Sequence, residues 1–481
     1  MLPAVRLEIG DCIDVLARAK RAKVLVDAVC CDPPYHLVSI VERLGKPGAA
    51  PIQSGATGVY ARSSAGFAGQ QWDGGDIAFR PETWRAIYDV MKPGAFLVAF
   101  SATRTYHRMV AAIEDAGFEV RDRILNALAS DEHATRFLDS LSAEQRDAFA
   151  LAVEGSAFGG ELAWMFGTGF PKSHNLKGEH RGKGTALKPA YEPIVLARKP
   201  SALPVPETYA QFGVGALDID ACRVPIGDER FDGGGQSRNG VNVSTHAGIW
   251  QRPWMHDPDA VIAHRDRLRE GVETARELGR WPANVTHDAS DEVLGAFAVY
   301  GDRGARAPAS GPTHSGESGG VALGRFNGMG DRAPAFHGDT GSPARFFYSS
   351  KATDAERVYR CRQCGVHQLG KPDCGHVDDK GSPDLQSHPT VKPIELMRWL
   401  VRMVCPPDGL VLDPFAGTGT TGAAALIEGR SALLIERERE YAGDIAVRLG
   451  TTLAELLTTT VAPIPSCLDD AGPLFAGSAA A

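Results

Sequence analysis

"VLDPFAGTGTTGAAALIEGRSALLIERE", residues 411–438, reads as a strand, a glycine loop, a helix and a second strand that ends on an acid. Gly417, Gly419 and Gly422 match G-x-G-x-x-G, the spacing by which a tight turn brings backbone close to a nucleotide. Alone the match is weak, because a structural glycine-rich turn between strand and helix satisfies it as well. Its setting strengthens it: the loop follows a strand and opens a helix. Glu436 then ends the next strand, 23 residues after Asp413, where a carboxylate can accept from ribose hydroxyls.

Two kinds of ligand suit such a crevice. A dinucleotide would set its pyrophosphate on the helix N-terminus, whereas S-adenosylmethionine has no phosphate but carries an adenosine, a carboxylate and a sulfonium cation. Asp413, at the strand end before the loop, would repel a pyrophosphate and suit an ammonium or sulfonium, which favours the methyl donor.

Working outward, the chain falls into four blocks. Residues 1–128 alternate apolar runs ("AVCCD", "AFLVAFS") with amphipathic patterns ("PETWRAIYDVM", "TYHRMVAAIEDAGF"), which predicts parallel strands with crossover helices. Residues 129–153 look like a helical insertion, with a helix start near 142–144. Between about 200 and 345 Gly, Pro, Ser and His dominate and periodicity fades, the mark of long functional or disordered loops. From 388 the alternation returns: a helix in "PIELMRWLVRMV", strands in "GLVLD" and "SALLIE", and a final helix from about 438 to 458. Residues 461–481 read as a loose tail.

At 481 residues, 43% hydrophobic and 23% charged, the chain can bury ordinary cores, and no apolar run is long enough for a membrane span. Its start lacks the layout of a signal peptide, so a cytoplasmic location is expected. Nine cysteines, an odd number widely spread, argue for reduced thiols rather than a disulfide framework. The net charge of −8 does not advertise a nucleic-acid binder. Locally the balance inverts: between residues 172 and 199 seven Lys/Arg stand against Glu179 and Glu192. Lys172, Lys177, Arg181 and Lys183 are candidate phosphate contacts, although a solvated basic loop reads the same way.

"VCCDPPYHLV", residues 29–38, ends an apolar run on a carboxylate followed by two prolines and a tyrosine. An exocyclic amine on a nucleobase is a poor nucleophile while its lone pair is delocalised into the ring. A carboxylate accepting one N–H and a fixed carbonyl accepting the other would turn that lone pair toward a sulfonium methyl. Asp32 and the carbonyl of Pro33 suit those roles. Pro33 and Pro34 lock φ and remove competing N–H groups, and Tyr35 offers a face for an extruded base. A plain strand-ending turn with a surface tyrosine is the competing account.

With "DPPY" early and "DPFAGTGTT" late, the chain resembles the amino-directed DNA methyltransferases of β-type motif order, in which the catalytic motif precedes the donor-binding one. "SHPTVKPIELMRWL" matches that family's segment leading into the cofactor pocket. "GFPKSHNL", "GTALKPAYEPIVLARKP", "GALDIDACRV" and "SPARFFYSSKA" are similar to a phage and prophage subgroup. The resemblance implies an α/β, Rossmann-like S-adenosylmethionine-dependent methyltransferase fold in permuted order, with an inserted target-recognition region. It implies catalytic roles for Asp32, Pro33, Pro34 and Tyr35. Asp11 would lie near the donor's adenine, and Asp413, Phe415, Gly417, Gly419, Thr420 and Thr421 on its methionine side. Glu436 would bind ribose, and Thr390 and Lys392 would close over the donor. The substrate implied is double-stranded DNA, at adenine N6 in preference to cytosine N4. Cytosine C5 chemistry needs a cysteine nucleophile, and no Pro-Cys dipeptide occurs.

The resulting division is a catalytic half over 1–199, a recognition region over 200–386 and a donor-binding half over 387–460. "CRQCGVHQLGKPDCGH", residues 361–376, adds Cys361, Cys364, Cys374 and His376 as candidate ligands of a structural zinc, with His367 as a substitute for His376. A reduced, metal-free loop is the alternative. Two rivals stay open: an NAD-dependent oxidoreductase using the glycine loop, and a catalytically silent DNA-binding module. The recognition sequence is not legible, and a homodimer is one admissible assembly.

Overall fold

Runs of apolar residues without alternation need burial on both faces, which a strand gets in the middle of a sheet covered by helices. In a computed structural model the described residues are 3–35, 76–120, 161–167, 176–226, 258–299 and 342–460, apart from 343, 345, 346, 352, 379, 380 and 389. The strands are β1 (Val5–Ile9), β2 (Val26–Cys31), β3 (Met91–Phe100), β4 (Glu161–Met165), β5 (Tyr191–Arg198), β6 (Val285–His287), β7 (Tyr348–Ser349), β8 (Val358–Cys361), β9 (His367–Leu369), β10 (Leu385–Ser387), β11 (Leu410–Asp413) and β12 (Ser431–Glu436). One sheet has the order β1-β12-β11-β2-β3-β5-β4-β6-β7, and β10-β8-β9 form a second, smaller one.

The two ends of the chain interleave in the large sheet. β1 pairs with β12, β12 with β11, β11 with β2 and β2 with β3, all parallel. β2, all six residues of which are buried, thus lies between a strand of the same half and one almost four hundred residues later. Asp27 fastens that junction: its carboxylate accepts from the N–H of Leu410 at 2.8 Å and pairs with Lys92 Nζ at 2.5 Å. The parallel strands expected over residues 1–128 are β1, β2 and β3, and the direction reverses beyond them. β5 runs antiparallel to β3 and β4 antiparallel to β5, with Phe100 opposite Ile194. That reversal brings the start of β5 to the carboxyl edge of the parallel strands.

Helices cover the sheet where their apolar stripes predict. α1 (Cys12–Arg21) is capped by Asp11, whose side chain accepts from the N–H of Ile13, and it buries Cys12, Val15, Leu16 and Ala19. α2 (Pro81–Asp89) and α3 (Tyr106–Asp115) follow, burying Trp84, Ile87, Met109 and Ile113. α4 (Val205–Phe212), α5 (Pro258–Leu278) and α6 (Asp291–Ala298) come next. α5, 21 residues long, forms where sequence periodicity had faded; its string of Asp, Glu and Arg hides a weak apolar stripe. α7 (Ile394–Val404) buries Leu396, Trp399, Leu400 and Met403 against β2, β3 and α8 (Thr420–Ile427). Complete burial of such side chains contributes about 1.5–3 kcal/mol each, so Trp399→Ala would cost about 3–5 kcal/mol.

The single final helix expected over 438–458 is two. α9 (Arg439–Leu449) stops at Gly450, which takes φ 63°, and α10 (Leu453–Thr458) restarts behind Thr452 with Glu455 completing a capping box. A left-handed glycine ends a helix and a Thr-x-x-Glu starts one, so both signals were present. The chain divides into two units. One comprises Met1–Ala221, Asn284–Ser290 and Ser349–Ala481; the other Cys222–Ala283 and Asp291–Tyr348. The expected insertion at 129–153 and tail at 461–481 lie outside the described residues, as does Lys172. Among the described residues no helix is long and apolar enough to cross a membrane.

Candidate active site

Asp32 leaves the carboxyl end of β2 and Asp413 ends β11 beside it, so the two distant motifs open on one edge of the sheet. Thr421, one residue into α8, touches both strands. Its hydroxyl donates to Asp413 Oδ2 at 2.5 Å and reaches the carbonyl of Cys30 at 3.5 Å. In open α/β sheets this edge is where ligands bind.

The glycine loop takes a shape that only small residues allow. Gly417 and Gly419 have φ of 53° and 79°. A Cβ on Gly419 would stand 3.0 Å from two carbons of Ile445, and one on Gly422 2.8 Å from Leu434 Cδ1, so the latter lets α8 press on β12. Gly417 N–H donates to Glu436 Oε2 at 2.7 Å and Glu438 N–H to Glu436 Oε1 at 2.8 Å. Phe415 N–H donates to Asp413 Oδ1 at 3.0 Å. Burial pushes Asp413 up to about 7 despite the Thr421 and Phe415 donors. Burial likewise raises Glu436 to about 7 against its two backbone donors. Thr420 is buried beside Thr421. Gly10 N–H bonds the carbonyl of Glu436 at 3.0 Å, which places exposed Asp11 next to that strand end.

Around Asp32 the arrangement differs, because it holds a buried cation. Lys392 is 6% exposed; its Nζ reaches Asp32 Oδ2 at 2.6 Å, Tyr35 Oη at 3.1 Å and Glu192 Oε2 at 3.2 Å. Tyr35 donates to Asp32 Oδ1 at 2.8 Å and also lies 3.2 Å from Glu192 Oε2. Burial opposes the charge on Lys392, but Asp32 and Glu192 outweigh it and the ammonium is held above its ordinary range. Burial raises Glu192 and Tyr35. The Thr105 hydroxyl donates to the Tyr35 carbonyl at 3.3 Å, holding the tetrapeptide against the start of α3. Glu192 escaped the sequence reading, which counted it only as charge in the basic strip. The signal that would have found it is the antiparallel β5, whose first residues meet the carboxyl ends of β2 and β3.

Thr390 lies in the segment before Lys392, and its N–H donates to His388 Nδ1 at 3.3 Å. Burial brings His388 down to about 4, so the ring is neutral and can accept. Of the basic strip, Lys177, Arg181 and Lys183 are exposed. Three other members are engaged by the fold: Arg198 is 6% exposed, Lys199 Nζ donates to the carbonyls of Tyr88 and Met91, and Lys188, itself exposed, bonds the carbonyl of Gly167. Burial keeps the thiols of Cys30 and Cys31 well above their ordinary range, so neither is a nucleophile at neutral pH.

Away from this edge, Cys361, Cys364, Cys374 and His376 bring their ligand atoms within 4.8 Å of one another. A tetrahedron with Zn–S bonds of about 2.3 Å has edges of about 3.8 Å, so a small closure would complete it. Three sulfurs and one imidazole are a zinc donor set. The backbone N–H of Cys364, against desolvation, brings the Cys361 thiol down to about 6. His367 is engaged elsewhere, its Nε2 lying 2.5 Å from Asp444 Oδ1, and His376 is the histidine in the cluster.

Residues 26–447 match the family model described as DNA methylase, which covers N6 and N4 enzymes, and the chain belongs to that family. It is 44% identical over 64 residues to the type II methyltransferase M.HinfI of Haemophilus influenzae, covering 13% of this chain and 17% of that one. To the DNA adenine methyltransferase YhdJ of Escherichia coli it is 43% identical over 58 residues, 12% of this chain and 20% of the relative. The chain thus spans about a fifth of the length of these curated relatives. A crystal structure of an M1.HpyAVI–SAM complex overlays 91% of this chain and 96% of that one, at 12% identity and a TM-score of 0.32.

Proposed function

We propose that the protein transfers a methyl group from S-adenosylmethionine to the exocyclic amine of a base extruded from double-stranded DNA, adenine N6 in preference to cytosine N4. One observation carries the reading: β2 and β11 are parallel neighbours, so Asp32 and Asp413 share a sheet edge. A glycine loop alone suits an oxidoreductase, but such an enzyme has no use for Asp32, Pro33, Pro34 and Tyr35 beside it.

S-adenosylmethionine supplies an electrophilic methyl on a sulfonium. Asp413, Phe415, Gly417, Gly419, Thr420 and Thr421 would hold its methionine side, Glu436 its ribose, and Asp11 the region of its adenine, with Thr390 and Lys392 closing the site. Asp32 accepts one N–H of the target amine and the Pro33 carbonyl the other. That draws the lone pair out of conjugation and leaves Asp32 placed to take the proton released on transfer. Lys392 and Glu192 then set the charge around Asp32. Lys172, Lys177, Arg181 and Lys183 would meet phosphates, each contact lowering log K by about 0.9 for every tenfold rise in salt concentration. Residues 200–386 would carry target recognition, and Cys361, Cys364, Cys374 and His376 a structural zinc.

Incubation with labelled S-adenosylmethionine and DNA, followed by single-molecule sequencing, tests this directly. Methylated adenine at one motif supports it, and methylated cytosine N4 would revise the base alone. No transfer, with NAD binding in calorimetry, would return the oxidoreductase reading.

A further inference from the structure

We infer that the Cys361, Cys364, Cys374 and His376 cluster is a strut: metal bound there fixes the small sheet that anchors the segment delivering Lys392 to Asp32. The functional part of this inference rests on the proposed reading of Lys392, whereas the mechanical part does not.

The chain of contacts is short. Cys361 is the last residue of β8, and its N–H and carbonyl close a turn through Val366 and Gly365 at 2.8 and 3.0 Å. Gln363 Nε2 donates to the carbonyl of Val377 at 2.7 Å, and Asp384 N–H to that of His376 at 3.1 Å, tying the two halves of the cluster together. β8 then pairs with β10 in a register that sets Cys361 opposite Leu385 and Tyr359 opposite Ser387. Ser387 is one residue before His388, so the ladder held at one end by the metal ligands ends where the Lys392 segment begins.

Further ties leave the residues just before β8. The Arg357 guanidinium donates to the His388 carbonyl at 3.2 Å, and Glu356 Oε2 accepts from the N–H of Ile394 at 2.9 Å, gripping the segment at both ends. On its other side the sheet is fastened to α9: Glu440 accepts from Arg360 at 3.2 Å and from Gln386 at 2.9 Å, while His367 meets Asp444. The ring of Tyr441, also on α9, meets that of His388 edge to face at 4.9 Å. The strands are only three and four residues long, and a sheet so small needs a staple.

Zinc content, cobalt substitution and amide exchange test the inference on the full chain. The purified protein should carry one zinc per chain, and cobalt in its place should show the intense visible bands of a tetrahedral thiolate site. Cys364→Ser, at an exposed position, should lose the metal and speed amide exchange over residues 388–394 at least tenfold, with 410–436 unchanged. His376→Cys, which keeps four ligands, should retain both metal and protection. In the methylation assay Cys364→Ser should lower kcat at least tenfold, and a variant that merely melts earlier would not. A protein that takes up no metal overturns the inference, and so does a metal-free variant with undisturbed exchange at 388–394. Absence of methyl transfer by the zinc-loaded parent would instead count against the proposed function, leaving the exchange result to judge the strut.

Discussion

Two pairs of carboxylates stand at one edge of the sheet and are held in opposite ways. Asp413 and Glu436, ending β11 and β12, are satisfied by a threonine hydroxyl and backbone N–H groups, and among the described residues neither has an ion-pair partner. Asp32 and Glu192 share the ammonium of Lys392. The difference follows from chemistry. A carboxylate kept near its own neutral form by burial is a waiting counter-ion for a cationic ligand. One already paired with an ammonium is an acceptor whose charge is set by the protein. On the proposed reading Asp413 faces the donor's positive charge and Glu436 its ribose, while the second pair receives the amine and its proton.

The largest expected effect breaks the second pair. Asp32→Asn keeps the shape but removes the acceptor and the proton's destination, so kcat for methyl transfer should fall about 10²–10⁴-fold. Donor affinity in calorimetry should be nearly unchanged. A variant within a few-fold of the parent would remove Asp32 from the chemistry.

Next in size is Lys392→Met, which leaves Asp32 and Glu192 facing one another without a cation. Loss of one partner of a buried pair costs about 3–5 kcal/mol, so denaturant unfolding should show a large drop. Glu192→Gln in the same background should recover part of it. Additive losses in that double mutant would mean the three groups do not act as a unit.

How much of this was legible beforehand divides along the same line. The donor side is local in sequence: strand, loop, helix and acid lie within residues 411–438, and glycine and apolar spacing report their own conformations. The Asp32 tetrapeptide was legible for the same reason. Glu192 was not, because it reaches the site only through the antiparallel turn of β5, and apolar runs do not encode strand direction. The basic strip misled in a similar way. Arg198, Lys188 and Lys199 add to a charge count, yet they bind carbonyl groups or lie buried in the fold. α5 was missed because its charged residues blur the helical period, and the break at Gly450 because a continuing helix was given precedence over a glycine stop.

A pH titration sharpens the comparison on the donor side. Asp413 and Glu436 are both raised to about 7, so the folded protein binds protons that the unfolded chain releases near pH 4. Their contribution to stability is therefore full below about pH 4 and is lost as pH rises through about 7. Donor binding should run the other way, since a cationic ligand favours the ionised form. Affinity should rise between pH 6 and 8, by up to about tenfold per pH unit for each proton released. Melting and calorimetry across that range should show the opposed slopes, and Asp413→Asn should flatten both. Parallel slopes would mean that these carboxylates do not face the ligand's charge.

The smallest effect on stability separates a ligand loop from a structural turn. Gly417 and Gly419 both occupy the left-handed region, where an added Cβ costs about 1–2 kcal/mol. They differ in surroundings. A Cβ on Gly419 meets Ile445 at 3.0 Å, whereas one on Gly417 meets nothing within 4 Å. Gly419→Ala should thus add an overpacking cost of about 1–3 kcal/mol, relieved in an Ile445→Ala background. Gly417→Ala should melt only slightly early. If the open side of Gly417 is where the donor's backbone-close approach occurs, its methyl group should instead weaken donor binding at least tenfold, beyond anything its stability predicts. Equal small losses in melting and in donor affinity would make the loop a turn and nothing more, and the waiting carboxylates beside it would need another ligand.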